Sequence, residues 1–404
     1  MKNNRPLFII FLIVFVNLLG FGIIIPLLPF YADHAGATPL AVGLLFAAYS
    51  ACQLLATPVL GALSDRYGRR PVLLFSLLGT VISFSLLALA NALWLLFLAR
   101  IIDGLSGGNI STARAYIGDI TPPQGRARAF GMIGAAFGLG FIFGPALGGL
   151  LGHYNFAAPA WAAAGMALVA TLLTAFFLPE PQRDAPASHS DASRSAAAAS
   201  LAPWRAAPEL VGRPELGRLL LVNLLFWVAF AVYETTFALF AKARFGWGMT
   251  QVGYLLAVVG LIGAAVQGGM IHPVVRRIGE KSTLVGGLFL AAAGLAAASV
   301  ARTVPIFVIA LVPASVGAGL ASPALVALLS HIASPAEQGR VQGVASSFES
   351  LGRIAGPIWG NGMLGWFGEG AAYLSAAVLL AVVAVIATGL APRAAPVEQP
   401  AAGP

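Results

Sequence analysis

The chain is poor in charge. Only 9% of its 404 residues are Asp, Glu, Lys or Arg, against about 25% in a soluble domain, which excludes a fold that presents its surface to water. Cysteine is nearly absent as well. Cys52 stands alone, so no intrachain disulfide can form, and its place between Ala51 and Gln53 in an apolar run reads as a small filler. No Gly-x-x-x-x-Gly-Lys-Ser/Thr phosphate loop occurs, which removes ATP hydrolysis as a power source. Any uphill work must then draw on an ion gradient. The histidines His34, His153, His189, His272 and His331 fall in connections or at the edges of apolar runs, without metal-ligand spacing. Neither a metal nor a cofactor is expected, and Ser64-Asp65-Arg66 is not a hydrolase elbow. The chain does not read as an enzyme.

What is abundant is apolar length. Hydrophobic residues make up 59% of the chain and the mean hydropathy is +0.87. Runs of about 20 residues, each long enough to cross a hydrocarbon core as a helix, are predicted at 7–29, 40–60, 72–91, 94–113, 129–151, 159–178, 219–240, 250–271, 283–300, 304–325, 343–365 and 371–390. The fold class is an all-α membrane protein of twelve transmembrane helices. The net charge of +8 does not indicate nucleic acid, because the basic residues are scattered through short loops. With the N-terminus inside, only Lys242, Arg244 and Arg302 fall outside, while Arg100 and Arg353 lie within spans. That bias sets both termini in the cytoplasm.

The chain divides into an N-terminal six-helix bundle (1–179), a cytoplasmic linker (180–217), a C-terminal six-helix bundle (218–391) and a disordered tail (392–404). The linker is rich in Pro, Ser and Ala and cannot build a core. Leu201, Trp204 and Leu210 give part of it an apolar face for the membrane surface. The two bundles repeat one another. Residues 65–70 (Asp-Arg-Tyr-Gly-Arg-Arg) align with 276–281 (Arg-Arg-Ile-Gly-Glu-Lys), and Gly144-Pro145 aligns with Gly356-Pro357 at nearly the same offset. Duplicated halves suit alternating access around a central site.

Several polar groups stand out against this background. Gly61, Asp65, Arg66, Gly68, Arg69 and Arg70 form a charged knot between spans two and three, suited to a latch that bonds differently in different conformations. Glu349 and Arg353, four residues apart in span eleven, suit a structural or gating pair at the junction of the halves. The glycine series Gly140, Gly144, Gly148 and Gly149 around Pro145, echoed by Gly356-Pro357, suits a close but movable interface. Arg100 and Asp103 lie about one turn apart inside span four. They form either a neutral internal lock or a proton site in which Arg100 tunes Asp103, or they touch substrate. Glu234, beside Trp227, Phe230 and Tyr233, suits a lipophilic cation or a titrating proton, or else a carboxylate hydrogen-bonded near the outer surface. Asn17 and Gln53 could orient a substrate or hold helices together.

Taken together, these motifs resemble the major facilitator superfamily, and within it the twelve-span drug:proton antiporters that include the bacterial tetracycline efflux proteins. Residues 61–70 match the signature loop after span two, Arg100 the buried arginine of span four, and residues 140–149 the antiporter motif of span five. The end of span one, Pro26-Leu27-Leu28-Pro29, is similar too. The resemblance implies a multi-pass protein of the bacterial inner membrane, acting as a monomer and driven by the proton gradient. Its partners would be a small-molecule substrate, protons and lipids. Drugs or amphiphilic metabolites are the expected cargo, with Asp103, Glu234 and Arg100 coupling transport to protons. The chain departs from the tetracycline proteins where it carries Asn17 and Ser83 in place of acidic residues, and span nine also lacks an acid. Two alternatives are a sugar or metabolite facilitator or symporter of the same fold, and a non-transporting receptor or scaffold.

Overall fold

A computed structural model describes residues 5–121, 125–181, 202–334 and 337–390, and among these it is helical throughout. In the first half, α1 (Arg5–Ile24) and the short α2 (Leu28–His34) replace the single predicted first span, because Pro26 lies between them and Pro29 opens the second. The long α3 (Pro39–Tyr67) is capped by the Thr38 hydroxyl, which accepts from the Ala41 N–H at 3.3 Å. It stops at Gly68, whose φ of 105° favours glycine, and α4 (Arg69–Leu89) runs back. The fourth crossing is α5 (Leu93–Ser106) and α6 (Asn109–Ile120), interrupted at Gly107 and Gly108. Then come α7 (Arg126–Tyr154) and α8 (Ala158–Phe177).

In the second half, α9 (Ala202–Val211) precedes α10 (Pro214–Phe245). Next, α11 (Met249–Ala265) continues through a π-helical turn (Val266–Met270) into α12 (Ile271–Val300). The chain closes with α13 (Val304–Ile332), α14 (Gln338–Phe367) and α15 (Glu369–Thr388). Among the described residues, ten helices are long and apolar enough to cross a membrane. One of them, Met249–Val300, leaves helical geometry at Gly279 and so holds two crossings. The more polar α14 packs among the others, which is consistent with twelve crossings.

Two regions differ from the sequence reading. The linker is helical at its far end, and α10 already begins at Pro214 rather than at 218. The apolar face of α9 is covered by protein rather than lying on lipid. Ala206 and Leu210 are buried against the bundle, and Glu209 bonds Arg213 at 2.8 Å and Arg340 at 2.7 Å. Leu201, residues 182–200 and the tail 392–404 lie outside the described residues, as does the Trp204 side chain.

The halves meet through two helix pairs, α3 with α14 and α7 with α11, related by the internal repeat. A Cβ on Gly43 of α3 would strike the Pro357 carbonyl and the Asn361 Cβ. A Cβ on Gly253 of α11 would strike the Pro145 carbonyl and the Gly149 Cα. Each proline carbonyl is therefore met by a glycine of the opposite half. All four positions lie toward the end of the molecule away from the linker, where Lys242 also bonds Asp33 at 2.5 Å and the Thr250 hydroxyl donates to the Gly149 carbonyl at 3.0 Å. Gly134 and Gly138 share a face of α7 with Pro145 and Gly149. Nothing lies within 4 Å of a Cβ on either. Along the α7–α11 seam the helices are therefore in close contact at the far end and leave open space beside Gly134 and Gly138 toward the linker end.

Candidate functional site

The two halves meet at a polar centre in the middle of the bundle. In the first half, Arg100 of α5 is buried. Its Nη1 donates to Asp103 Oδ2 at 2.8 Å, and its guanidinium lies 4.1 Å from the centroid of the Tyr49 ring. The i,i+3 spacing on α5 brings acid and base onto one face, while Gly104 lets α5 approach the backbone of α3 at Tyr49 and Cys52. Tyr49 in turn accepts from Gln53 Nε2 at 3.0 Å, and the same amide reaches the Gly107 carbonyl at 3.3 Å, where the fourth crossing is interrupted. Arg100 Nε has no partner. A charge this deeply placed is held by one carboxylate and one aromatic face.

The second half supplies a second arginine. Arg353 of α14 lies 3.3 Å from Glu234 Oε2 on α10 and 3.5 Å from Glu349 Oε1 on its own helix, with its guanidinium 4.4 Å from the Trp227 centroid. Tyr49 lies on α3 and Arg353 on α14, and these form one of the two helix pairs through which the halves meet. Each half thus presents an arginine held by a carboxylate and faced by an aromatic ring. Loss of charge on a carboxylate frees its arginine, which is the chemistry a proton-driven rearrangement needs.

The remaining candidates divide. Trp227 packs edge-on against Phe226 and Phe230 and joins the centre through Arg353. Tyr233 turns away into a ring cluster with Phe237 and Tyr373, its hydroxyl unpartnered. Asn17 is separate from Gln53. It lines a small cleft within the first half, with Ile13, Leu73, Leu77 and Ile110. Ser83 donates to the Ala99 carbonyl at 2.9 Å. Tyr49 is the residue that sequence reasoning overlooked, although its place one turn before Gln53 was a usable signal.

The charged knot is bonded within its own half. Arg69 reaches Asp65 at 2.7 Å, Asp119 at 2.9 Å and Ser64 at 2.6 Å. Glu180 accepts from the backbone N–H groups of Arg69 and Arg70, at 2.6 and 2.9 Å, capping the start of α4. A Cβ on Gly68 would strike that carboxylate. Arg70 donates to the carbonyls of Thr174 and Ala175 at the end of α8, and Arg66 lies over the Tyr67 ring at 5.2 Å. Gly61 has open space around it. Of the hinge set, Gly140, Gly144 and Gly148 pack on α1, Gly149 on α11, and Gly356 on α10.

With this geometry in place, the comparisons are direct. The family model described as Major Facilitator Superfamily matches residues 10–272 and 268–403. The chain is 36% identical over 362 residues to the class C tetracycline resistance protein of Escherichia coli, covering 89% of each. It is 29% identical over 364 residues to multidrug resistance protein 1 of Bacillus subtilis (strain 168), covering 90% of each. The crystal structure of the human organic anion transporter MFSD10 (TETRAN) is similar with a TM-score of 0.68 at 26% identity, over 96% of this chain and all of that one.

Proposed function

The chain belongs to the major facilitator superfamily, and from that premise we propose that it exports lipophilic or cationic drugs, or related amphiphilic metabolites, in exchange for protons. One observation carries the reading. Each half carries an arginine–carboxylate centre faced by an aromatic ring, Arg100–Asp103 with Tyr49 and Arg353–Glu234 with Trp227, and Tyr49 and Arg353 lie on the helix pair α3–α14 that joins the halves. The relatives named for tetracycline and multidrug resistance support the class of cargo.

In this reading the linker end is cytoplasmic, both termini lie inside, and a monomer in the bacterial inner membrane is the working unit. Substrate enters from the cytoplasm between the halves, on the side where Gly134 and Gly138 have open space beside them. Asp103 carries the proton, because it is paired with Arg100 and protonation dissolves that pair. Glu234 acts through Arg353 in the same way. Asn17 lines a cleft within the first half and Ser83 bonds the Ala99 carbonyl, so the centre is built differently from one with acids at those positions, which supports a broader substrate range than tetracycline. The test is transport in proteoliposomes. Ethidium should move against its gradient while a pH gradient stands, and stop when nigericin collapses that gradient with the membrane potential clamped. Continued movement after collapse would refute proton coupling and favour downhill passage.

A further inference from the structure

The fourth crossing is broken between α5 and α6, and one side chain ties the break to the buried charge pair. Interrupting a helix leaves carbonyl groups without their N–H partners. Among the described residues, no backbone N–H reaches the Gly107 carbonyl. The Gln53 amide nitrogen takes that place, donating to the carbonyl at 3.3 Å and to the Tyr49 hydroxyl at 3.0 Å. A Cβ on Gly107 would lie 2.8 Å from the same nitrogen, so the glycine is what admits it. Tyr49 stands one turn before Gln53 on α3, and its ring covers the Arg100 guanidinium at 4.1 Å. Arg100 in turn holds Asp103 at 2.8 Å. Beyond the break, α6 carries Asp119, which bonds Arg69 of the charged knot at 2.9 Å.

We propose that Gln53 is a positioning residue that links the charge on Asp103 to the linker-end part of the fourth crossing. This role rests on the proton exchange proposed above only for what neutralises that carboxylate. While Asp103 is charged, it fixes the guanidinium, the guanidinium fixes the ring, and the phenol and the Gly107 carbonyl share one amide. Neutralising Asp103 removes the ionic partner, and among the described residues Arg100 is then left with the ring alone. As the guanidinium shifts, the ring follows, the Gln53 bonds weaken and the start of α6 opens more often. A residue that only glued helices would hold α3 to the break whatever the charge on Asp103. The phenol set between amide and guanidinium is what makes this tie depend on charge.

Amide exchange of residues 107–112 tests the linkage, read by mass spectrometry on the purified full-length protein without gradient or cargo. D103N mimics the neutral acid and should raise exchange there about fivefold, the effect of weakening one hydrogen bond. Q53L should raise it alone, and D103N should then add nothing. Y49F leaves Gln53 on Gly107 and the ring on Arg100, so exchange should stay near native. In that background D103N should again add less than about twofold, and this arm decides where Q53L does not fold. No effect of D103N in the native chain would overturn the linkage. So would an equal effect in all backgrounds, which would mean that Asp103 reaches the break directly along α5. In proteoliposomes Q53L and Y49F should lower kcat for ethidium and leave KM within about twofold, whereas a rise in KM alone would put Gln53 on the cargo and overturn the role. Charge-linked exchange in a protein whose transport ignores nigericin sinks the proton reading and leaves the tie. Additive exchange in a gradient-driven protein does the reverse.

Discussion

Adding one methyl group at Gly253 should open the far end of the molecule. In the sealed seam a Cβ there would meet the Pro145 carbonyl, the Gly149 Cα at 2.7 Å and the Gly149 nitrogen at 2.9 Å. All three are backbone atoms of a continuous helix, so no side chain can rotate away and the helices must part. Overpacking of this kind costs about 1–3 kcal/mol, and it is felt only in the state that has the seam. The ratio of far-end-sealed to far-end-open molecules should therefore fall about 5- to 150-fold. Gly43→Ala acts on the symmetric seam, against Pro357 and Asn361. Because the two sites share no partner, their effects should multiply. Spin labels at Asn155→Cys and Gly248→Cys, in a Cys52→Ala background, report the distance between the ends of α7 and α11 by pulsed electron resonance. The long-distance population should grow in Gly253→Ala and grow further in the double variant. Gly134→Ala lies on the same face of α7 but has nothing within 4 Å, so it should leave the sealed population intact. An unchanged distribution in folded Gly253→Ala would refute the glycine–proline seam as the far-end gate.

Three further outcomes follow from the linker end. Gly68→Ala should lower the melting temperature more than Gly279→Ala, since both glycines have positive φ but only Gly68 also has the Glu180 carboxylate in the path of a Cβ; the backbone term alone is about 1–3 kcal/mol in each. Arg69→Ala should destabilise the first half by roughly 2 kcal/mol in thermal unfolding, because it removes a nearly buried guanidinium that bonds Asp65, Ser64 and Asp119 at once, whereas Asp65→Asn, whose side chain is half exposed, should cost under about 1 kcal/mol. Hydrogen bonds from Arg340 and Arg213 hold the Glu209 carboxyl below its usual range, so docking of α9 is supported above the ordinary carboxylate pKa and lost as pH falls through the depressed one; amide exchange in α9 should rise in that acid window, and rise also with salt.

The crossings were legible because lipid demands apolar length and leaves few other signals, and the repeat was legible in two short matches. What sequence could not give was direction. Glu234, Glu349 and Arg353 were each recognisable as intramembrane charges, yet only the packing of α10 on α14 turns Glu234 toward Arg353 and away from an independent site. Tyr49 carries no charge and was missed for that reason, although its ring faces the Arg100 guanidinium. The linker was misjudged in part because composition reports the Pro/Ser/Ala tract and not the few residues, Ala206 and Leu210, that find a covered place on the bundle.

The repeat itself indicates what the linker-end loops must preserve. Gly68 (φ 105°, ψ 157°) and Gly279 (φ 78°, ψ 164°) adopt nearly the same backbone conformation at matching positions. Arg70 donates to the last carbonyls of α8, and its counterpart Lys281 donates to the Leu390 carbonyl beyond α15. Between these fixed points a side-chain bond to the fourth crossing survives with the acid on the opposite side. Arg69 pairs with Asp119 in the first half, whereas its counterpart Glu280 meets His331 Nδ1 at 3.0 Å in the second. Had the loops served only to place positive charge at the cytoplasmic face, an acid at 280 would work against them. A conserved turn, a tie to the sixth helix of each half and a bond of either polarity to the fourth fit another requirement: each half must move as one piece, so that the glycine–proline seams and the central arginines are where the two pieces change partners.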